Sequence, residues 1–537
     1  MFIMQRRVIA VFLLFCLSCG MICVRIYTFM ASDIAASYTM NHNKKIVIDT
    51  LRFPFYDCNS EPLVNNEFKF FAAFKPDSEV ADKLCGFTDR KELEKIMTAI
   101  KNRTPSYCAV DKPVQNDEYI VCLKKYVRYS DSQPAVHLLG YINGDGAGVS
   151  GLEKAFDSFL VSDTQLYASF PCDASGRVIH GAEIITDSEY LTSKGGVYLT
   201  VDKRIQQIVQ EELNASTIKK GAVLVCGTKT GEIKAMASVP VFDPYNISDY
   251  LDDTSSPLVN RAVSSYPVGS VFKVSVAAAA LESGVGENFT FDCDGQIEVD
   301  GTVYRCNNST AHGKVDMRSA LIHSCNGYFI ALAQKIGSRT VLEMAKRLGF
   351  GEKIYYAENI ASSSGKLPDL NSLSVSGNLA NFAFGQGEFT ANTLQIANMF
   401  SCIGNGGEYF NPHVVSHVVD KNGKTVYTFK QSAPVKAVDR RCTESIKDML
   451  IDVINDGTAK NAKTEGFVCA GKTATAQTGI FNPDKTEKLC TWFGGFFPAE
   501  EPEYTVVIIK EDGTTGGADC APVFKSIAQR LFEIQKR

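Results

Sequence analysis

The sequence predicts an α/β fold of the α+β kind: one antiparallel sheet with a helical block between its strands, preceded by a smaller α+β module and a membrane-spanning helix. Three observations predict it. Strand patterns lie at both ends of the C-terminal region, in GAVLVCGTKTGEIKAMAS and again in VCAGKTATAQT, CTWFGGFF and EYTVVIIKE. Between them, from about Val271 to Phe400, the chain reads mostly as helix. Strands at both ends of one region suggest a single sheet closed by its two termini. The third observation is an apolar run from Val8 to Val24, within the roughly 17–25 residues that a spanning helix needs.

The elements follow in chain order. Gln5-Arg6-Arg7 precede the apolar run and Arg25 follows it. The positive-inside rule then puts residues 1–7 in the cytoplasm, the anchor at 8–26 and the remainder outside the cell membrane. A cleaved signal peptide is the competing reading, but the run exceeds a usual apolar region and no small-x-small site follows it cleanly. Residues 32–196 form a loosely patterned α+β pedestal, with strand-like KKIVIDT and EYIVCL and a helix in DRKELEKIMTAIKN. HLLGYI and GVSGLEKAFDSFL are compact, glycine-punctuated stretches, and His137 within the first reads as structural. A second domain, 197–537, begins with Ile205, Ile208, Val209 and Leu213 at helical spacing, with Asp202 placed to favour the helix start. A hairpin turning at Lys229-Thr230-Gly231 comes next.

Composition bounds the function. The chain has 537 residues, with 55 Lys and Arg against 60 Asp and Glu. That length suggests about three or four domains, and the near-average composition excludes a collagen, a disulfide mini-protein and a disordered chain. The mildly acidic balance argues against nucleic acid as a partner. Seven histidines make a multi-His metal centre a poor first guess. Of 17 cysteines, Cys16, Cys19 and Cys23 lie in the anchor, and most others sit singly in apolar segments, as Cys226 and Cys402 do. Cys293 and Cys306 flank two short strands about a DG turn, which brings their thiols together as a disulfide or as two free groups. The CxxC spacing of Cys16 and Cys19 falls inside the anchor, which argues against zinc.

The chemistry resides in three weak motifs. Ser270 and Lys273, in YPVGSVFKVSVAAAA, share one helix face at the start of an Ala-rich run. A serine hydroxyl needs a base, and an apolar pocket lowers a lysine pKa enough to provide one. Ser324 and Asn326 stand in S-x-N spacing in HSCNGYF, where a hydroxyl can relay protons and an amide can bind a carbonyl. Lys472 and Thr473 enter a strand in AGKTATAQT, where a cation and a hydroxyl can hold a carboxylate at a sheet edge. Each is common by chance, but their order in one outward-facing domain is not.

In this order the chain resembles the class B penicillin-binding proteins, membrane-anchored peptidoglycan transpeptidases whose family signature is S-x-x-K, S-x-N and K-T-G. The likeness extends to HLLGYI, GVSGLEKAFD, TVDKRIQ, GEIKAMASVPVFDPY, NRAVSSYPVGSVFK, FAFGQGEFTANTLQIANMF, GNGGEYFNP, WFGGFFP and GGADCAPVFKSIAQRLF. It implies a transpeptidase fold with helices on both sides of the sheet and a pedestal of the penicillin-binding-protein dimerisation type. It also implies that Ser270 attacks the penultimate D-Ala of a stem peptide, with Lys273 as base, Ser324 as proton relay and Asn326 orienting the substrate. Lys472 and Thr473 would bind the terminal carboxylate, and the backbone N–H groups of Ser270 and Thr475 would form the oxyanion hole. No metal and no organic cofactor is implied. Implied partners are D-Ala-D-Ala stem peptides, β-lactams and a polytopic membrane glycan polymerase.

Ala474 departs from the family, which has glycine there. Because alternate residues of a strand face opposite ways, Thr473 facing the cleft puts Ala474 to the rear, against helices behind the sheet. A β-lactam sensor is the first alternative, but the few residues inside leave no room for a signalling part. A catalytically weak scaffold is the second, with Ala474 its one support. The modest pedestal leans toward a division-type or spore-type enzyme.

Overall fold

The computed structural model describes residues 2–30, 43–173, 175–187, 189–286 and 288–535. The start of the pedestal, 32–42, and the side chains of Gln5 and Arg6 lie outside the described residues. Helix α1 (Phe2–Met30) contains one stretch, Arg7–Met30, long and apolar enough to cross a membrane, and none of that stretch is buried against protein. Apolar residues all round a helix, with no protein to cover them, suit a lipid environment.

The chain forms two compact units, one of residues 1–52, 65–128 and 161–193, the other of 53–64, 129–160 and 194–537. The sequence patterns suggest a single boundary at 196; the backbone instead interleaves the two. The reason is long-range pairing: Phe55–Tyr56 runs parallel to Gly196–Leu199, with Phe55 opposite Val197.

In the first unit, β1 (Asn43–Arg52) belongs to one small sheet. A second sheet and its helices are built from β2 (Glu67–Phe74), α2 (Ser78–Leu84), α3 (Arg90–Lys101), β3 (Ser106–Val110) and β4 (Ile120–Val127). β2 is central between β3 and β4, and Phe74, Val80, Leu84, Ile96 and Ile120 close its core. α3 starts where Asp89 accepts from the Glu92 N–H, a standard N-cap. β5 (Val161–Pro171) pairs with β1.

In the second unit, α4 (Lys203–Ala215) starts at Asp202, whose side chain accepts from the Arg204 N–H. β6 (Gly221–Gly227) and β7 (Ile233–Val239) form the expected hairpin. Then come α5 (Lys273–Glu282), the β8 (Gln296–Val299) and β9 (Thr302–Arg305) hairpin, α6 (Met317–His323), α7 (Asn326–Ile336), α8 (Thr393–Gly404) and α9 (Arg440–Asp456). β10 (Ala470–Phe481), β11 (Glu487–Phe497) and β12 (Tyr504–Lys510) complete the sheet, and α10 (Ala521–Gln535) follows.

The sheet order is β7-β6-β12-β11-β10, antiparallel throughout, with Val223 opposite Ile508 and Thr473 opposite Phe493. The two ends of the region do close one sheet. Helices cover both faces. Phe493 packs on Phe524 of α10 with ring centroids 4.3 Å apart, whereas Gly494 lies so close to Phe400 of α8 that a Cβ there would come within 2.2 Å of the ring. α5 has Lys273 through Ala280 buried, as a helix apolar on every side must be. β10 is an edge strand, and an edge leaves main-chain groups that a further strand can pair with.

Candidate active site

The segment leading to Ser270 is fastened to the sheet. Buried Arg261 donates through Nε to Glu511 Oε1 at 2.8 Å, and the Tyr266 hydroxyl donates to the same oxygen at 2.8 Å. Trp492 Nε1 donates to the Pro267 carbonyl at 2.8 Å. Gly269 then turns the chain with φ +67° and donates its N–H to the Gly385 carbonyl at 2.7 Å. A Cβ on Gly269 would sit 3.2 Å from both Ala476 Cβ and Thr475 O, and 3.3 Å from Ala474 Cβ. Positive φ and close approach together call for glycine.

Ser270 lies in the 3-10 turn Gly269–Phe272 that runs directly into α5. It is half-buried, and among the described residues its hydroxyl takes no hydrogen-bond partner. Lys273 is completely buried, and its Nζ donates to Ser324 O at 2.6 Å, Asn326 Oδ1 at 2.7 Å and Ser324 Oγ at 3.2 Å. Burial pulls its pKa down to about 8, with Cys325 and Cys306 pulling the other way. Ser324 reaches that position because it ends α6 in the left-handed region, φ 55°, and α7 begins at Asn326. Asn326 is itself held, since its Nδ2 donates to Arg305 O at 2.8 Å.

Lys472 is wholly buried as well. It donates to Thr473 O at 3.1 Å and to Thr458 Oγ1 at 3.4 Å. Burial holds its pKa well below the ordinary value, and the charge of Lys273 presses it further down. All the oxygens that receive these two ammonium groups are uncharged. Such a pair favours a carboxylate arriving from outside.

The edge strand departs from expectation at Ala474. Thr473 is a largely buried residue whose hydroxyl donates to Thr458 Oγ1 at 3.0 Å. Thr475 is exposed, its hydroxyl accepting from the Gly516 N–H at 3.4 Å and its carbonyl lying beside Gly269. Ala474 does face opposite to Thr473, but the faces are exchanged. Thr473 pairs across with Phe493 on the α10 side, while Ala474 pairs with Trp492 and faces Gly269, on the side of Ser270. Ala474 is 3% exposed, a spacer between the edge strand and the Ser270 turn.

Thr458 carries no signal in the sequence, yet it touches both Lys472 and Thr473. It is placed after α9 by its N–H donating to Ile322 O at 3.3 Å. Gly516, the first residue of GGADCAPVFKSIAQRLF, lies against the strand: a Cβ there would come within 2.6 Å of Ala474 O. His137 lies 2.6 Å from Pro257 O with its pKa pushed down to about 4 by burial, a structural role. Cys293 and Cys306 come together with sulfurs 3.7 Å apart, as free thiols.

The penicillin binding protein transpeptidase domain model matches residues 221–529. Among curated relatives, the chain is 29% identical to "Peptidoglycan D,D-transpeptidase MrdA" of Acinetobacter baumannii, over 69% of this chain and 58% of that one. It is 30% identical to "Stage V sporulation protein D" of Bacillus subtilis, over 73% of this chain and 61% of that one. The chain thus spans about three-fifths of the length of these two relatives. In fold it resembles the D,D-transpeptidase domain of a peptidoglycan glycosyltransferase from Eggerthella lenta, with a TM-score of 0.66 and 23% identity over 90% of this chain and 99% of that one. Penicillin-binding protein 3 of Mycobacterium tuberculosis, complexed with aztreonam, gives the same TM-score and identity over 92% and 97%. With the transpeptidase model covering more than half of its length, the chain belongs to the penicillin-binding protein transpeptidase family, as a class B member.

Proposed function

We propose that the chain is a membrane-anchored peptidoglycan D,D-transpeptidase that crosslinks stem peptides through an acyl ester on Ser270. The observation that carries this reading is the convergence of buried Lys273 on Ser324 and Asn326, one helical turn after Ser270, with Lys472 close by. Ser270 Oγ attacks the carbonyl between the two terminal D-Ala residues, and neutral Lys273 takes its proton. Preorganised N–H groups stabilise oxyanions strongly in acyl transfer, the role of the Ser270 and Thr475 amides here. The C–N bond breaks as Ser324 passes a proton to the leaving D-Ala amine, with Asn326 holding the donor amide. The amine of a neighbouring stem peptide then attacks the ester and releases Ser270 Oγ, which regains its proton.

Lys472 and Thr473 bind the terminal carboxylate, with Thr458 holding the Thr473 hydroxyl in place. The edge of β10 suits an extended peptide that adds as a further strand. β-Lactams, with a strained amide and a carboxylate, enter as the donor does and remain on Ser270. α1 anchors the chain, with its N-terminus cytoplasmic and the transpeptidase unit outside, where a polytopic glycan polymerase supplies nascent strands. The test is labelling of the full-length protein with a fluorescent penicillin. Wild type should give one adduct, mapped by mass spectrometry to Ser270, and Ser270→Ala should give none while keeping its melting temperature. An adduct on another serine would remove Ser270 from this role.

A further inference from the structure

Lys273 and Asn326 are both fully engaged in the resting protein, and neither is engaged with Ser270. Lys273 follows Ser270 by three residues across the 3-10 turn Gly269–Phe272, a spacing at which side chains eclipse. Yet among the described residues no hydrogen bond joins the two side chains. Lys273 Nζ donates instead to Ser324 O at 2.6 Å, Asn326 Oδ1 at 2.7 Å and Ser324 Oγ at 3.2 Å, one oxygen for each hydrogen of an ammonium group. Asn326 is held at both ends, because its Nδ2 donates to Arg305 O at 2.8 Å. We propose that the turn at Ser324 keeps Lys273 in a parked position, and that rotation of this turn withdraws the Ser324 carbonyl and releases the amine onto Ser270 before each acylation. The proposal rests on the acyl-ester reading above.

The turn has the makings of two states. Ser324 follows α6 with φ 55° and ψ 42°. Its N–H donates to Leu321 O at 3.2 Å, and the Cys325 N–H donates to Ala320 O at 2.9 Å. This is the bond pattern of a helix end whose left-handed residue is usually glycine. A side chain makes that conformation costly, so the closed turn is held by its bonds against the preference of its backbone. The ψ of Ser324 sets where its carbonyl points, and the left-handed value aims it at Lys273. Rotating that peptide gives up the Cys325 bond to Ala320 O, which keeps the closed form the resting one. Charge works in the other direction. An ammonium group satisfies all three oxygens, whereas a neutral amine has two hydrogens and a lone pair. One oxygen must then face the lone pair, and the Ser324 carbonyl, nearest at 2.6 Å, suffers most. The Ser270 hydroxyl carries the hydrogen that the lone pair lacks. On opening, the bond from Nζ to Ser324 O is exchanged for one from Ser270 Oγ–H to Nζ, and no covalent bond changes until Ser270 attacks.

Asn326 ties this device to the donor. Its side chain runs from Lys273 to the Arg305 carbonyl, so a donor carbonyl that takes the Nδ2 hydrogen also draws on a group that holds Lys273. Donor binding and release of the base are coupled in this way, and an empty site keeps its base off the nucleophile. Steps of this kind, rather than chemistry, set the rate of many enzymes.

The experiment uses the full-length chain in detergent and a set of β-lactams whose rates of alkaline hydrolysis differ by about a hundredfold. Acylation is followed by rapid quenching and mass spectrometry of the intact protein. If release of Lys273 sets the rate, every compound should saturate at one first-order rate, equal within about twofold whatever its reactivity. Two variants then assign the step to the turn. Ser324→Gly and Ser324→Ala both lack the hydroxyl, but glycine holds the left-handed region freely. The glycine variant should therefore melt at a higher temperature than the alanine variant and acylate about 5- to 30-fold more slowly. Limiting rates that spread in step with reactivity, or rates that rise without saturating, would overturn the proposal. Equal rates in the glycine and alanine variants would do so too. Peptide mapping of the adduct tests the underlying reading separately: an adduct away from Ser270 refutes the acyl ester, whereas one on Ser270 with any of these contrary rates refutes the parked lysine alone.

Discussion

Gly269→Ala perturbs the seam between the Ser270 turn and the edge strand, and its cost can be worked from the structure. An L-residue held at φ +67° loses about 1–2 kcal/mol. The added methyl also meets Ala476 Cβ and Thr475 O at 3.2 Å and Ala474 Cβ at 3.3 Å. One of those atoms is main-chain oxygen within a paired sheet and yields little, so overpacking adds about 1–3 kcal/mol. The sum, about 2–5 kcal/mol, is a large part of a typical stability of about 5–15 kcal/mol. Ala474→Gly alone should also destabilise, by roughly 1.3–1.8 kcal/mol, from one lost buried methyl and the freedom of glycine. In the double variant the two changes should partly cancel, because removing the Ala474 methyl clears one of the three contacts. The expected coupling is about 1 kcal/mol, read from thermal unfolding of all four proteins. Acylation by fluorescent penicillin, measured in parallel, should fall about tenfold to a hundredfold in Gly269→Ala as Ser270 is displaced and recover in part in the double variant. Strict additivity, or a Gly269→Ala protein that melts and acylates as wild type does, would refute the seam.

Lys273→Arg keeps the charge but cannot deprotonate, so acylation should drop by about 10²–10⁴; a near-normal rate would exclude Lys273 as base. In wild type the neutral amine is the active form, so the acylation rate should rise with pH through about 8 and level off above it, a rise absent from the arginine variant. Asp519 accepts from Lys510 Nζ at 2.8 Å and from the N–H groups of Thr514 and Thr515 at 2.6 and 3.1 Å, holding the loop that carries Gly516. Burial alone would raise its pKa, but these bonds bring it below the usual carboxylate range. The contribution is therefore present above about pH 4 and lost as pH falls through the folded-state value. Asp519→Asn should cost about 3 kcal/mol in urea unfolding at pH 7 and show less acid sensitivity than wild type.

What was legible in the sequence was what local spacing encodes. Ser270 and Lys273 share a face because three residues separate them. The sheet could be read because apolar runs bounded by turns, within 221–239 and 470–510, survive as pairing between Gly221–Gly227 and Tyr504–Lys510. What depends on contacts between distant segments was not legible. Residues 53–64 join the second unit through pairing with Gly196–Leu199, and nothing near Phe55 signals it. Thr458 meets Lys472 only because α9 ends against α6. Cys325 comes within 3.8 Å of Cys306, sulfur to sulfur, only because α6 and α7 bring it to the hairpin. Ala474 shows the limit most sharply. Alternation along the strand was right, but which face met Ser270 was set by Trp492 and Gly269.

Lys273 and Lys472, the two buried lysines of the site, show why it is built as it is. Burying an ammonium group costs several kcal/mol unless an opposite charge accompanies it, and the partners of Lys273 and Lys472 are all neutral oxygens. Folding alone would not favour that arrangement. Its benefit appears when a substrate carboxylate arrives, because the missing countercharge is then supplied by the molecule to be recognised. On the proposed reading the carboxylate favours a charged Lys472, whereas Lys273, receiving no anion of its own, keeps its lowered pKa of about 8 and a neutral fraction that can accept the proton of Ser270. Lys472, more strongly depressed, depends most on the ligand. Under the proposed function, two lysines of like charge in one buried space would divide into an anion receptor and a base through the difference in what reaches them. The same missing negative charge explains why the edge strand beside them would select peptides ending in a free carboxylate over internal segments.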